Sequence, residues 1–275
     1  VAAPAGAVQP SGTVSIVPWA PAAEVSKALG MSLALFGYPG SGKTTFAATP
    51  KTLLLDLEGG AEVLADRTDV MVWPKPDANG RLPKITWDDV VALTEGLRNA
   101  LVKGTLPFNV LCFDTLTTAQ RMCLAKVMRA SATPDMPSQP EYGKANELLL
   151  AMVREWCQLA KEYGINVIFN VHAEEVKDDA SGVVLIRMSL TPGVIKGVYQ
   201  AVSSIGYIAE TPGKSATDPS KRKLLLRSTN KVVAKFRQPQ SGPQLPLEID
   251  DPSLEKILDH RRKAQAALSA GQKGN

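Results

Sequence analysis

FGYPGSGKTT, residues 36–45, contains the full pattern G-x-x-x-x-G-K-[ST], from Gly37 to Thr44. The apolar run MSLALFG leads into it, and a helix is expected after it. In that context the pattern reads as a phosphate-gripping loop. Glycines let backbone amides turn inward around phosphate oxygens. A helix starting near Lys43 points its positive end at them. Lys43 is expected to reach the β- and γ-phosphates, and Thr44 to ligate Mg²⁺. The nucleotide-binding set is then Gly37, Tyr38, Pro39, Gly40, Ser41, Gly42, Lys43, Thr44 and Thr45, with ATP and Mg²⁺ as the expected ligands.

Outward from the loop, short apolar runs alternate with helical periodicity. MSLALFG, TLLLDLEGG, DVMVWP, FNVLCFDT and INVIFNVH read as buried strands. TWDDVVALTEGLRNALVKG reads as a helix with Thr86 and Asp89 placed as a capping box. LTTAQRMCLAKVMRAS reads as a second helix, ATPDMPSQPEYG as a Pro-rich loop, and KANELLLAMVREWCQLAKEYG as a long amphipathic helix stopped by Gly164. Continuous apolar strands between helices predict a mostly parallel central sheet flanked by helices on both faces. After His172 the pattern changes. GVVLIRMSL, SIGYIAE, RKLLLRS and KVVAKFR read as strands with only GVIKGVYQAVSS as helix between them, so antiparallel C-terminal strands are expected. DPSLEKILDHRRKAQAALSA reads as a closing helix, entered through Asp251 and Pro252. The organisation read from this is an Ala/Pro-rich arm over residues 1–28, an α/β core over 29–250, and a helix and tail over 251–275.

Composition narrows the function classes. A net charge of +4 over 275 residues permits a nucleic-acid partner only where the charge clusters. Cys112, Cys123 and Cys157 lack metal-ligand spacing and read as small buried hydrophobes in a reducing compartment. Two histidines exclude a His-rich metal site. No apolar run reaches the roughly 18 residues of a membrane span, and no secretory leader is visible, so no membrane partner is expected.

Three polar groups at strand ends are candidates for the chemistry. Asp114 closes NVLCFD, where a carboxylate can hold Mg²⁺; the alternative is a helix N-cap. Many motor ATPases carry a Glu directly after that Asp, but here the position is Thr115. Glu58, in LLLDLEGG, is the substitute candidate for orienting the attacking water; the alternative is a solvated turn carboxylate. His172 closes VIFNVH and reads equally as a γ-phosphate sensor or as a satisfied core histidine.

In this order the pieces resemble the RecA-like recombination ATPases. They run from the glycine loop to Asp56–Glu58, a strand ending in Asp114, a long helix, a strand with a polar tip, and a late basic pair in AKFR. The opening LFGYPGSGKTTFAATPKTLLLDLEGG looks most like short phage single-strand annealing proteins. The resemblance covers roughly residues 30–240 and implies a RecA-like P-loop NTPase core. It implies Glu58 as catalytic carboxylate beside Lys43, and His172 as sensor where the family usually has Gln. It implies Lys235 and Arg237 reaching in trans to a neighbour's ATP. It further implies ATP-driven assembly on single-stranded DNA as a ring or filament of identical subunits. A single-strand-binding protein would assist, in the cytoplasm of a bacterial or phage-infected cell.

In such a core, DNA would meet a first loop, Ser131–Ala145, through Tyr142 and Lys144. A second segment, Ala173–Lys196, would add Arg187 and Lys196, although its acids offset its bases. The densest basic stretch is Lys214–Arg237, with eight Lys or Arg against Asp218. It reads as a solvated face, a nucleic-acid contact or a subunit interface. Fifteen aromatics (4 Trp, 5 Tyr, 6 Phe) are too few for extensive base stacking. A hexameric helicase-like or packaging motor, a small-molecule P-loop kinase and a non-hydrolysing scaffold remain open as alternatives. No Arg-rich lid lies between the loop and Asp114, which counts against the kinase.

Overall fold

The computed structural model describes residues 30–130, 136–177, 182–211, 220–238 and 244–271. The expected N-terminal arm, the final residues 272–275, and parts of both expected DNA loops and of the basic stretch lie outside the described residues.

The loop strand is β1 (Ser32–Gly37), followed by a short α1 (Lys43–Ala47), β2 (Thr52–Asp56) and β3 (Val70–Trp73). Next come α2 (Trp87–Val102), β4 (Val110–Asp114), α3 (Leu116–Arg129), α4 (Gln139–Tyr163) and β5 (Asn166–Lys177). The chain ends with β6 (Val184–Met188), α5 (Pro192–Ala201), β7 (Ser204–Thr211), β8 (Lys221–Leu225), β9 (Glu248–Asp250) and α6 (Leu254–Gly271).

The sheet order is β3-β2-β4-β5-β1-β7-β8-β9, with β6 paired to β5. Strands β3 to β7 in that order are parallel; β6, β8 and β9 pair antiparallel. This is the expected α/β P-loop NTPase architecture.

The apolar runs are continuous because both sheet faces are covered. Ala34, Phe36, Leu55, Phe113 and Phe169 point to one face, under α2, α3, α4 and α5. Leu33, Leu35, Leu54, Cys112 and Ile168 point to the other, under α1 and α6. On the first face Phe113 stacks on Phe169 at 5.3 Å between ring centroids and meets Trp156 of α4 at 6.1 Å. Removing a ring from such a packed cluster costs about 3–5 kcal/mol.

Local chemistry sets the helix ends. Thr86 and Asp89 form the expected capping box of α2. The long helix α4 ends at Gly164, left-handed at φ 71°. Its start differs from expectation. Ser138 and Glu141 form a second capping box, so the helix begins at Gln139 with Pro140 in its first turn, where a missing N–H costs nothing. Tyr142 and Lys144 therefore stand on a helix, not in a loop. KVVAKFR is not a strand either; only two isolated bridges, Ile186–Val232 and Ile205–Lys235, tie it to the sheet. Strand β5 runs on past His172 and pairs antiparallel with β6, so the described part of the second expected segment is that ladder followed by the start of α5. The three cysteines are buried and free. No described helix is long and apolar enough to cross a membrane.

Candidate active site

Register brings the polar strand tips to one level. Asp56 lies opposite Asp114, Asp114 opposite Asn170, and Gly37 opposite His172. These are the carboxyl ends of parallel strands. The helix after β1 lies on one face and those after β4 on the other, so the crevice opens where ligands enter open α/β sheets.

The loop itself folds tightly. A Cβ at Gly37 would meet the Ile208 carbonyl oxygen at 2.4 Å, so only glycine fits against β7. Gly42, at φ 88°, caps α1 in the left-handed region. Lys43 is buried at 6% exposure, and its Nζ donates to the Gly37 and Tyr38 carbonyls, each at 3.0 Å. Burial pulls its pKa down, opposed by the Asp114 and Glu58 charges. A buried ammonium held only by carbonyls is placed for a polyanion. The Ser41 hydroxyl is buried without a partner.

Thr44 Oγ1 donates to Asp114 Oδ2 at 2.6 Å, across the tip of the intervening strand β5. Burial raises the Asp114 pKa, against the Thr44 and Asn170 contacts and the Lys43 charge. Asp114 does not cap α3; Thr115 does, accepting from the Thr118 N–H. Asn170 is fully buried beside Asp114, yet its amide atoms reach no full hydrogen bond. This donor set fits a nucleotide with Mg²⁺: one hydroxyl, one buried carboxylate, one orphaned amide and a buried amine. Thr44 and Asp114 would hold the ion, which would supply charge neutralisation to the transferring phosphate.

Glu58 stands in the turn after β2. Asp56 builds that turn, its carboxylate accepting from the N–H groups of Glu58, Gly59, Gly60 and Ala61. Glu58 Oε1 accepts from Thr115 at 2.6 Å and Thr118 at 2.5 Å, and His172 Nε2 lies 2.9 Å from both carboxylate oxygens. Burial works against ionisation there, but the bonds to His172, Thr115 and Thr118 outweigh it and hold the Glu58 pKa down at about 2. Glu58 is thus not a free turn carboxylate; it is ionised and aimed. The His172 Nδ1 is buried without a partner.

Other expected residues lie elsewhere. Lys235 Nζ donates to the Tyr199 carbonyl. Arg237 lines a cavity of about 1240 Å³ with Gly30, Gly164 and Asn166, at the opposite strand ends from the loop. Neither joins the loop within the chain. Arg187 is paired with Glu174 at 2.8 Å; it shares a shallow groove with Lys196 and Lys231. Tyr142 and Lys144 are exposed on α4. From the basic stretch, Lys223 pairs with Glu248 and Asp250, and Arg227 with Glu248.

Sequence reading missed Asp56 as the turn-builder, Thr115 and Thr118 as the Glu58 clamp, and Asn170 as the buried amide between strands. A three-residue spacing of threonines after a strand-end Asp was the only signal available for the clamp.

A family profile described as an AAA domain matches residues 29–238. No curated protein matches the chain significantly.

Proposed function

The chain belongs to the AAA-domain family of P-loop ATPases, and from that premise we propose that it is an ATP-dependent recombination or annealing protein that assembles on single-stranded DNA. The observation that carries the reading is the course of β5. That strand places His172 against Glu58, then Glu175 against Tyr38 of the loop, whose hydroxyl donates to it at 2.8 Å. It then runs out of the site into the β5–β6 hairpin. A surface element in contact with a polymer would thereby feel, and be felt by, both the phosphate loop and the water-orienting carboxylate.

In this reading Lys43 and the loop amides bind the phosphates, and Thr44 and Asp114 hold Mg²⁺. Glu58 orients water for in-line attack on the terminal phosphorus. ATP binding favours the DNA-gripping assembly and hydrolysis releases it. Lys235 and Arg237 lie at the strand ends opposite the loop. A head-to-tail assembly would therefore carry them toward a neighbour's phosphates, as a ring or filament requires. Tyr142, Lys144, Arg187 and Lys196 are the proposed DNA contacts, and a single-strand-binding protein the proposed helper.

The test is ATP hydrolysis by the purified protein with and without single-stranded DNA, beside Lys43→Ala and Glu175→Ala. The expected result is stimulation by DNA, no hydrolysis in Lys43→Ala, and a DNA-free rate without stimulation in Glu175→Ala. A rate indifferent to single-stranded DNA would move the assignment to a motor acting on another polymer or to a phosphoryl transfer onto a small molecule.

A further inference from the structure

We infer that Arg222 is a nucleotide ligand of the same subunit, contacting the α-phosphate; this rests on the ATP-binding reading of the loop. Arg222 stands on β8, opposite Glu210 of β7, and β7 lies beside β1. A Cβ at Gly42 would sit 2.6 Å from Arg222 Nε and 2.7 Å from Cζ. The guanidinium therefore lies against the backbone of the loop, and the missing side chain at Gly42 is what admits it.

This cation has no hydrogen bond or ion pair from its side chain among the described residues. Its cross-strand neighbour Glu210 is engaged by Ser220. Asp251 contacts it only through the backbone, donating its N–H to the Arg222 carbonyl at 2.9 Å. Lys223 and Arg227, on and just after the same strand, are both paired with acids. So, among the described residues, the half-buried arginine of this strand that faces the loop is the one without an anion. It brings positive charge to the backbone of the phosphate loop at Gly42, where a polyanion would be favoured.

Topology decides which phosphate it meets. Thr44, Asp114 and Glu58 fix the reacting end of the triphosphate on the β5–β4–β2 flank of β1. Arg222 comes from the β7–β8 flank, on the other side. There the chain of phosphates leads to its non-reacting end, and a planar guanidinium can fork onto the α-phosphate oxygens. A contact made equally before and during reaction strengthens binding without changing the chemical step.

The experiment is a DNA-free titration of ATP, ADP and inorganic tripolyphosphate on wild type, Arg222→Ala, Arg222→Lys and Lys43→Ala. Thermal unfolding without nucleotide verifies that each variant is folded. Arg222→Ala is expected to weaken all three ligands by about tenfold or more, as loss of a charge-assisted hydrogen bond implies. Its kcat at saturating ATP should stay near wild type, and Arg222→Lys should recover much of the affinity. Unchanged affinities in a folded Arg222→Ala overturn the inference. So does a loss confined to ATP and ADP with tripolyphosphate unaffected, since that is the signature of stacking on the base. If Lys43→Ala also binds normally, the nucleotide reading itself fails; if only Lys43→Ala loses binding, the loop stands and Arg222 alone is wrong.

Discussion

Asp114, at the tip of β4, and Glu58, in the turn after β2, are carboxylates on neighbouring elements, and their surroundings push them in opposite directions. Asp114 is buried under the loop, and burial raises its pKa despite Thr44 and the Lys43 charge. Glu58 is also penalised by burial, but three side chains bond its charged form and carry its pKa down to about 2. The difference teaches their division of labour. A carboxylate that is expensive to ionise is completed by a cation. One that is held ionised by directional bonds is already aimed, and suits a role in orienting water.

The largest effect that would break this comparison is on the chemical step. Glu58→Gln should cut hydrolysis by about 10²–10⁴-fold, the range for a positioned acid–base group, while labelled ATP still binds. Near-normal turnover would make Glu58 a structural residue. Next in size, Asp114→Asn should raise the Mg²⁺ concentration needed for half-maximal hydrolysis by about 10–100-fold.

Smaller effects sharpen the contrast. Thr118→Ala removes one of the hydroxyls on Glu58 and should slow hydrolysis by about tenfold or less. It should also move the Glu58 carboxyl titration, followed by carbon-detected NMR, upward from about 2. In nucleotide-free, Mg²⁺-free protein the two asparagine and glutamine variants should diverge in melting temperature. Asp114→Asn should melt higher, because it removes a charge that folding disfavours; Glu58→Gln should melt lower. The smallest effect is the pH profile of stability. Glu58, with its pKa depressed from 4.5, contributes stability that is complete above that value and is lost as pH falls toward about 2. Wild type should therefore lose stability across that window more steeply than Glu58→Gln.

Much of this site was legible before folding. Lys43, Thr44 and Asp114 each stand in a local pattern, a glycine loop or the end of an apolar run, that constrains its own neighbourhood. Glu58 was legible as a position but not in its state. Its partners Thr115 and Thr118 are 57 and 60 residues away in the chain. Only the register of β2 against β4 brings them together. Arg222 was legible only as one more cation in a basic stretch. Helix α4 shows a different kind of miss. Proline-rich composition suggested a loop through Gly143, while Ser138 and Glu141 already marked a helix start. In KVVAKFR, strand-like composition lost because the segment touches β6 and β7 at one bridge each, Val232 to Ile186 and Lys235 to Ile205, and extends neither contact into a ladder.

The sequence by itself determined the fold class and the phosphate loop. Both depend on short-range chemistry, namely which residues can bury both faces of a strand and which can turn amides inward. Tertiary structure alone decided that Glu58 is clamped, that Arg222 lies on Gly42, and that Lys235 and Arg237 sit at the far end of the sheet. Those are distances between segments remote in the chain, and they exist only once strand order and register are set.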